Sequence, residues 1–141
     1  MTDSQGLDRF TSAQDDGGTY EQALGELASG AKRSHWMWFV FPQIAGLGQS
    51  ATARHYAIRD LEEAEAYLAH PVLGPRLVRA AEVAETAPAA TADALLGGID
   101  AVKLRSSMTL FARVAPQQPV FTRVLERWYG GQEDDATLRL L

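Results

Sequence analysis

The chain has 141 residues, a formal net charge of -5 and no cysteine. That length fits one domain, residues 1–141, able to bury roughly 70% of the surface its unfolded chain exposes. Without thiols, disulfides, thiolate zinc sites, iron-sulfur clusters and cysteine nucleophiles are excluded, and the negative charge disfavours a non-specific nucleic-acid binder, which needs Lys and Arg against phosphates.

In chain order, the polar stretch Met1 to Gly6 reads as a flexible segment and lacks the apolar core of a signal peptide. No later apolar run approaches the roughly 20 residues that span a bilayer, so the expectation is a cytoplasmic protein without a membrane segment. Leu7 to Gln14 predicts a short helix, broken by Asp15-Asp16-Gly17-Gly18. Thr19 with Gln22 has the form of a capping box, and Tyr20, Ala23, Leu24, Leu27 and Ala28 recur at helical spacing until Gly30. Lys32-Arg33-Ser34-His35 then runs into the aromatic block Trp36 to Phe41. Its residues favour a strand by propensity, but no partner with a period of two follows. The reading is a short buried helix started by Ser34 and stopped by Pro42.

Gly46-Leu47-Gly48 is a mobile or tightly turned loop, and Ser50 caps a helix containing Ala53, Tyr56, Ala57 and Ile58. Asp60 to Glu63 repeats the capping-box pattern and opens a helix that Pro71 prevents from continuing. A further helix starts near Pro75 and runs to about Thr86. Residues 87–92 form a connection, and a short turn of helix around Ala94 to Leu96 ends at Gly97-Gly98. Asp100 is a candidate cap for a helix to Ala115 whose Val102, Leu104, Met108, Leu110, Phe111 and Val114 supply an apolar surface. The pattern Val120, Phe121, Val124, Leu125, Trp128 is the strongest amphipathic run, ended by Gly130-Gly131. Asp134 or Asp135 caps a last short helix. The fold class is therefore all-α, a compact multi-helical domain of short helices.

Two polar islands border these apolar runs. Lys32, Arg33 and the N-H groups after Ser34 would form an anion site if a helix began there; the competing reading is a solvated basic turn. His35 is a candidate general acid or base, or a packed histidine with one hydrogen bond. Trp36 and Trp38 would stack a flat ring, or belong to the core. Gln43 would orient a ligand. Lys103, Arg105, Ser106 and Ser107 form the second island, which either converges with the first on an anionic ligand or solubilises its helix. His35, His55 and His70 lack metal-ligand spacing, so no metal is expected. Gly46-Leu47-Gly48 lacks the remaining glycine and the strand-helix context of a dinucleotide fingerprint, so no cofactor is expected. Asp60, Glu62, Glu63 and Glu65 read as capping and a solvated face. The function these residues favour is small-molecule binding, with an anionic nucleotide-like ligand as partner; the alternative is a non-catalytic interaction or regulatory protein.

The strings Lys32 to Phe39, Phe41-Pro42-Gln43, Gly46-Leu47-Gly48, Tyr56-Ala57-Ile58, Tyr67-Leu68, His70-Pro71, Leu73-Gly74, Lys103 to Phe111, Gly130-Gly131-Gln132 and Thr137-Leu138 together resemble the bacterial family known as domain of unknown function 1810. The resemblance covers roughly Phe10 to the C-terminus. It implies a mainly helical fold and carries no established reaction. A fainter similarity, in the order of Ser34-His35-Trp36, an Ala- and Glu-rich helix, the segment Gly74-Pro75-Arg76 and Pro119-Val120-Phe121, is seen to the NADAR superfamily of ADP-ribose-processing proteins. That likeness implies an acidic residue where this chain has Ser34; a substitute carboxylate would come from elsewhere, and Asp100, the one nearest in sequence to the Lys103-Arg105 island, is the candidate catalytic residue, with a helix cap as its other reading.

Overall fold

The computed structural model describes residues 6–141, so most of the segment read as flexible, residues 1–5, lies outside the described residues. The helices are α1 (Asp8–Asp15), α2 (Thr19–Ser29), α3 (Met37–Val40), α4 (Ala51–His55), α5 (Leu61–Ala69), α6 (Leu73–Glu85), α7 (Ala92–Leu96), α8 (Gly98–Val114), α9 (Pro119–Tyr129) and α10 (Asp135–Leu138), with a 3-10 turn at Asp16–Gly18. Among the described residues there is no strand, only an isolated parallel bridge between Ile44 and Ile58. No helix among them is long and apolar enough to cross a membrane.

The core is an aromatic chain that crosses the domain. Phe10 of α1 meets Tyr67 of α5 edge-on at 5.0 Å, Tyr67 meets Phe111 of α8 at 5.6 Å, and Phe111 meets Phe121 of α9 at 5.9 Å. All four side chains are fully buried. Helix α9 packs against both α6 and α8, as its apolar stripe requires. The buried Gln14 donates to the Phe39 carbonyl at 2.7 Å and to the Tyr67 hydroxyl at 3.2 Å, so α1 also fixes the aromatic block from behind.

Several expected boundaries shift for reasons visible in the hydrogen bonds. Thr19 is not a cap: its hydroxyl donates back to the Asp16 carbonyl at 2.6 Å, and Gly18 occupies the capping position. The helix expected from Ser34 begins only at Met37, because the Ser34 hydroxyl is bonded to Glu26 instead of to a following N-H. Helix α4 ends at His55, before Tyr56, Ala57 and Ile58, since Ile58 exchanges backbone bonds with Gln43 and Ala45. Asp60 does cap α5, accepting the Glu63 N-H at 2.9 Å. Glu63 does not belong to a solvated face: its carboxylate is fully buried and paired with Arg9 at 3.1 Å and Arg59 at 3.0 Å.

Helix α6 starts two residues before Pro75. Gly74 in its first turn lies so close to α5 that an added Cβ would run into the Leu68 carbonyl oxygen. Helix α8 opens at Gly98, so Gly98 begins a helix where the sequence suggested an end, and Asp100 lies inside the first turn rather than capping it. Val102, expected on the apolar core surface, is 58% exposed.

Candidate functional site

The loop after α2 is built around an internal anion. Gly30, with φ +83°, closes α2 in the left-handed conformation, and its N-H bonds the Leu27 carbonyl at 3.1 Å. The chain then turns back over its own helix, which brings residues 33–36 onto Glu26. One oxygen of Glu26 accepts the backbone N-H of Arg33 at 2.8 Å, that of Ser34 at 3.1 Å and the indole N-H of Trp36 at 2.8 Å. The other accepts the Ser34 hydroxyl at 2.6 Å and the Gln22 amide at 3.1 Å. Burial by itself would raise the pKa of this carboxyl, but the bonds from Ser34, Arg33 and Trp36 together outweigh it and hold the value at about 2, against an ordinary 4.5.

The N-H groups of Arg33 and Ser34 are thus taken by the protein's own carboxylate, and the helix whose start was expected to offer the N-H groups after Ser34 to an anion begins only at Met37. Ser34 is a structural donor to Glu26. Trp36 is fully buried, so its ring is core and stacks no ligand. Arg33 is exposed and does not line the cleft described next.

On the other side of the loop the Lys32 N-H bonds the Leu95 carbonyl of α7 at 2.8 Å, which sets the loop beside the α7-α8 junction. There Lys32, His35, Met37 and Trp38 face Leu96 to Asp100 and Lys103 across a cleft of about 470 Å³. Asp100 sits between the lysines: its carboxylate is 2.9 Å from the Lys32 ammonium and 3.6 Å from that of Lys103. Two cations against one carboxylate leave one positive charge in excess. The lysines differ in what they have left to give. Lys32 is nearly buried, also donates to the Ser34 carbonyl at 2.5 Å, and lies 5.1 Å from the Trp36 ring. Lys103 is beyond direct hydrogen-bonding distance of Asp100 and rests 4.6 Å over the half-buried Trp38 ring, so its donors are the ones available to a ligand. His35 is exposed at the mouth of the cleft.

The rest of the second island points elsewhere. Arg105 donates to the carbonyls of Gln132 at 3.0 Å and Glu133 at 2.7 Å, which ties the C-terminal segment to α8; it is not a cleft residue. Ser106 is buried, bonded to the Val102 carbonyl at 3.1 Å and to Asp134 at 3.0 Å. It lies under a second groove, beside Gln43. Ser107 is buried with no hydrogen-bond partner for its hydroxyl. Among the described residues no three His, Asp or Glu side chains are grouped to hold a metal ion.

Glu26, Leu96 and Ile99 are the participants the sequence reading passed over. Glu26 was within reach: it lies three residues after Ala23 and beside Leu27, on the edge of the apolar face, where a carboxylate requires donors.

A family model described as a protein of unknown function, DUF1810, matches residues 4–141. The crystal structure of the conserved hypothetical protein Rv1873 from Mycobacterium tuberculosis is 45% identical to this chain, with a TM-score of 0.94, over 99% of this chain and 98% of that one. No curated protein matches the chain. With a family match across nearly the whole chain and a relative of the same fold at this identity, the chain belongs to the DUF1810 family.

Proposed function

We propose that the cleft between the Lys32–Trp38 loop and the start of α8 binds a small anion that carries a flat ring, of the nucleotide class. One observation carries this reading: residues from two segments distant in sequence, Lys32, His35 and Trp38 on one side and Lys103 on the other, line a single concavity with an excess positive charge. Lys103 supplies the donors for the anion, the exposed part of Trp38 supplies the stacking face, and Lys32 with Asp100 forms the wall. The volume is within the roughly 300–1,000 Å³ of small-molecule sites.

The test is thermal stabilisation by a panel of nucleotides and phosphorylated metabolites. A shift that disappears in Lys103→Ala and in Trp38→Ala, and persists in Arg33→Ala, supports the site. A reproducible lack of any shift across the panel rejects it in favour of a non-catalytic interaction protein.

A second reading, cleavage of an N-glycosidic bond in an ADP-ribose derivative, draws on the position of Asp100. It is the one carboxylate lining this cleft among the described residues, and such a reaction needs a carboxylate against the developing oxocarbenium charge. Release of ADP-ribose from modified nucleobases or nucleic acid, abolished by Asp100→Asn in a folded protein, is the result this reading requires.

A further inference from the structure

We infer that the ligand of the cleft is amphipathic: an aromatic anion held at Lys103 and Trp38, extended by an apolar arm that lies in the neighbouring groove. This rests on the anion-cleft reading above and adds the chemical class of the ligand's other end. The groove, about 370 Å³, runs between α8, the Gly46–Gly48 loop and α10, and shares Ile99 and Lys103 with the cleft as common walls. The two concavities thus adjoin across the Ile99 and Lys103 side chains.

Its walls are apolar in the places that meet solvent. Ile99 is 77% and Val102 58% exposed, three residues apart on one face of α8, with Leu47 and Ala136 opposite. A single exposed apolar side chain is ordinary, but two on successive turns that each border a concavity form a surface with something to gain from cover. The methylene stem of Lys103 joins them while its ammonium serves the cleft.

Of the polar groups that line it besides Lys103, Ser106 and Asp134 are already bonded, while the Gln43 amide has no partner among the described residues. Asp134 accepts the Ser106 hydroxyl at 3.0 Å, the Thr137 N-H at 3.0 Å and the Thr137 hydroxyl at 2.6 Å. The bonded Ser106 hydroxyl offers nothing to an anion, and the negative charge of Asp134 opposes one, so beyond Lys103 a neutral donor, the Gln43 amide, is all the groove's side chains present against the charge. The orientation of the ligand follows: charge at the lysine end, hydrocarbon at the Val102 end.

Isothermal titration of phenyl phosphate against 4-hexylphenyl phosphate separates the two claims, since the pair share ring and charge and differ in the arm. The expected result is that the hexyl arm tightens binding by at least about tenfold, because two buried methylenes already supply that factor. Val102→Ser, and Ala136→Gln as a longer side chain on the groove wall, should each remove most of the gain while leaving the phenyl phosphate affinity within about twofold. Binding of phenyl phosphate with no gain from the arm overturns the amphipathic ligand and leaves the anion cleft standing. A gain that survives both groove variants, or binding of the hexyl compound that survives Lys103→Ala, also overturns it. Binding of neither compound overturns the amphipathic ligand, and the anion cleft then falls with it only if the nucleotide panel also gives no thermal shift.

Discussion

The carboxylate of Glu26 lies 2.8 Å from the indole nitrogen of Trp36, a buried charge on a buried ring, and the loop between them carries Lys32, Arg33 and His35, the basic residues of the first polar island. Glu26 does for the Arg33 and Ser34 amides what an external anion would otherwise do. It shapes the loop so that Lys32, His35 and Trp38 face the opposite way, toward α8.

Removing that carboxylate strands several donors at once. Glu26→Ala should therefore cost about 2–4 kcal/mol, since each buried unsatisfied group costs about 1–3 kcal/mol and part of the set regains water. The pH dependence has a definite sign. A carboxyl lowered from 4.5 to about 2 adds stability that is fully present above 4.5 and is lost as pH falls toward 2. Urea midpoints followed from pH 5 to 2 should fall more steeply for the wild type than for Glu26→Ala; parallel profiles would sink the assignment.

The two tryptophans should separate by readout. Trp36→Ala empties a fully buried site and should cost about 3–5 kcal/mol in chemical denaturation. Trp38→Ala, at a half-buried site under Lys103, should cost clearly less and abolish ligand-induced stabilisation. Equal losses of stability would place both rings in the core.

Asp100 competes with any incoming anion for Lys103 while it neutralises the nearly buried Lys32. Asp100→Asn should lower stability by about 1–3 kcal/mol, because Lys32 loses its counter-charge but keeps a neutral acceptor. The same change should raise affinity for phosphorylated probes. Titration of wild type and variant with one such probe decides it, and weaker binding by the variant would show Asp100 to be a ligand contact.

Arg105→Ala should leave anion affinity unchanged and loosen the C-terminal segment, whose Gln132 and Glu133 carbonyls lose a charged donor. The expected loss is about 1–2 kcal/mol. Amide exchange localised by mass spectrometry should accelerate over 132–138; acceleration confined to the Lys32–Trp38 loop would contradict the geometry.

Gly74→Ala forces a methyl against the Leu68 carbonyl, so α5 and α6 must separate. Overpacking of this kind costs about 1–3 kcal/mol. A thermal midpoint at or above the wild-type value would mean that the helix pair adapts freely.

The helices were largely legible because their determinants are local. Asp60 and Ser50 cap the helices their positions indicate, Gly30 and Gly130 stop α2 and α9 in the left-handed conformation, and the stripe Val120 to Leu125 is buried as its spacing requires. A cap, a stop and a periodic stripe each act within a turn or two of the backbone. Only the tertiary structure decided which polar side chains meet. Lys103 and Arg105 are neighbours in one helix, yet α8 turns the first toward Trp38 and the second toward Gln132, a matter of helical phase against packed neighbours. Ser34 looked like a cap and Asp100 like another. Each instead met a charged partner outside the helix it was expected to cap, Glu26 of the preceding α2 for one and Lys32 for the other, and a buried charge outbids a local backbone N-H for such a partner because leaving it unpaired costs more.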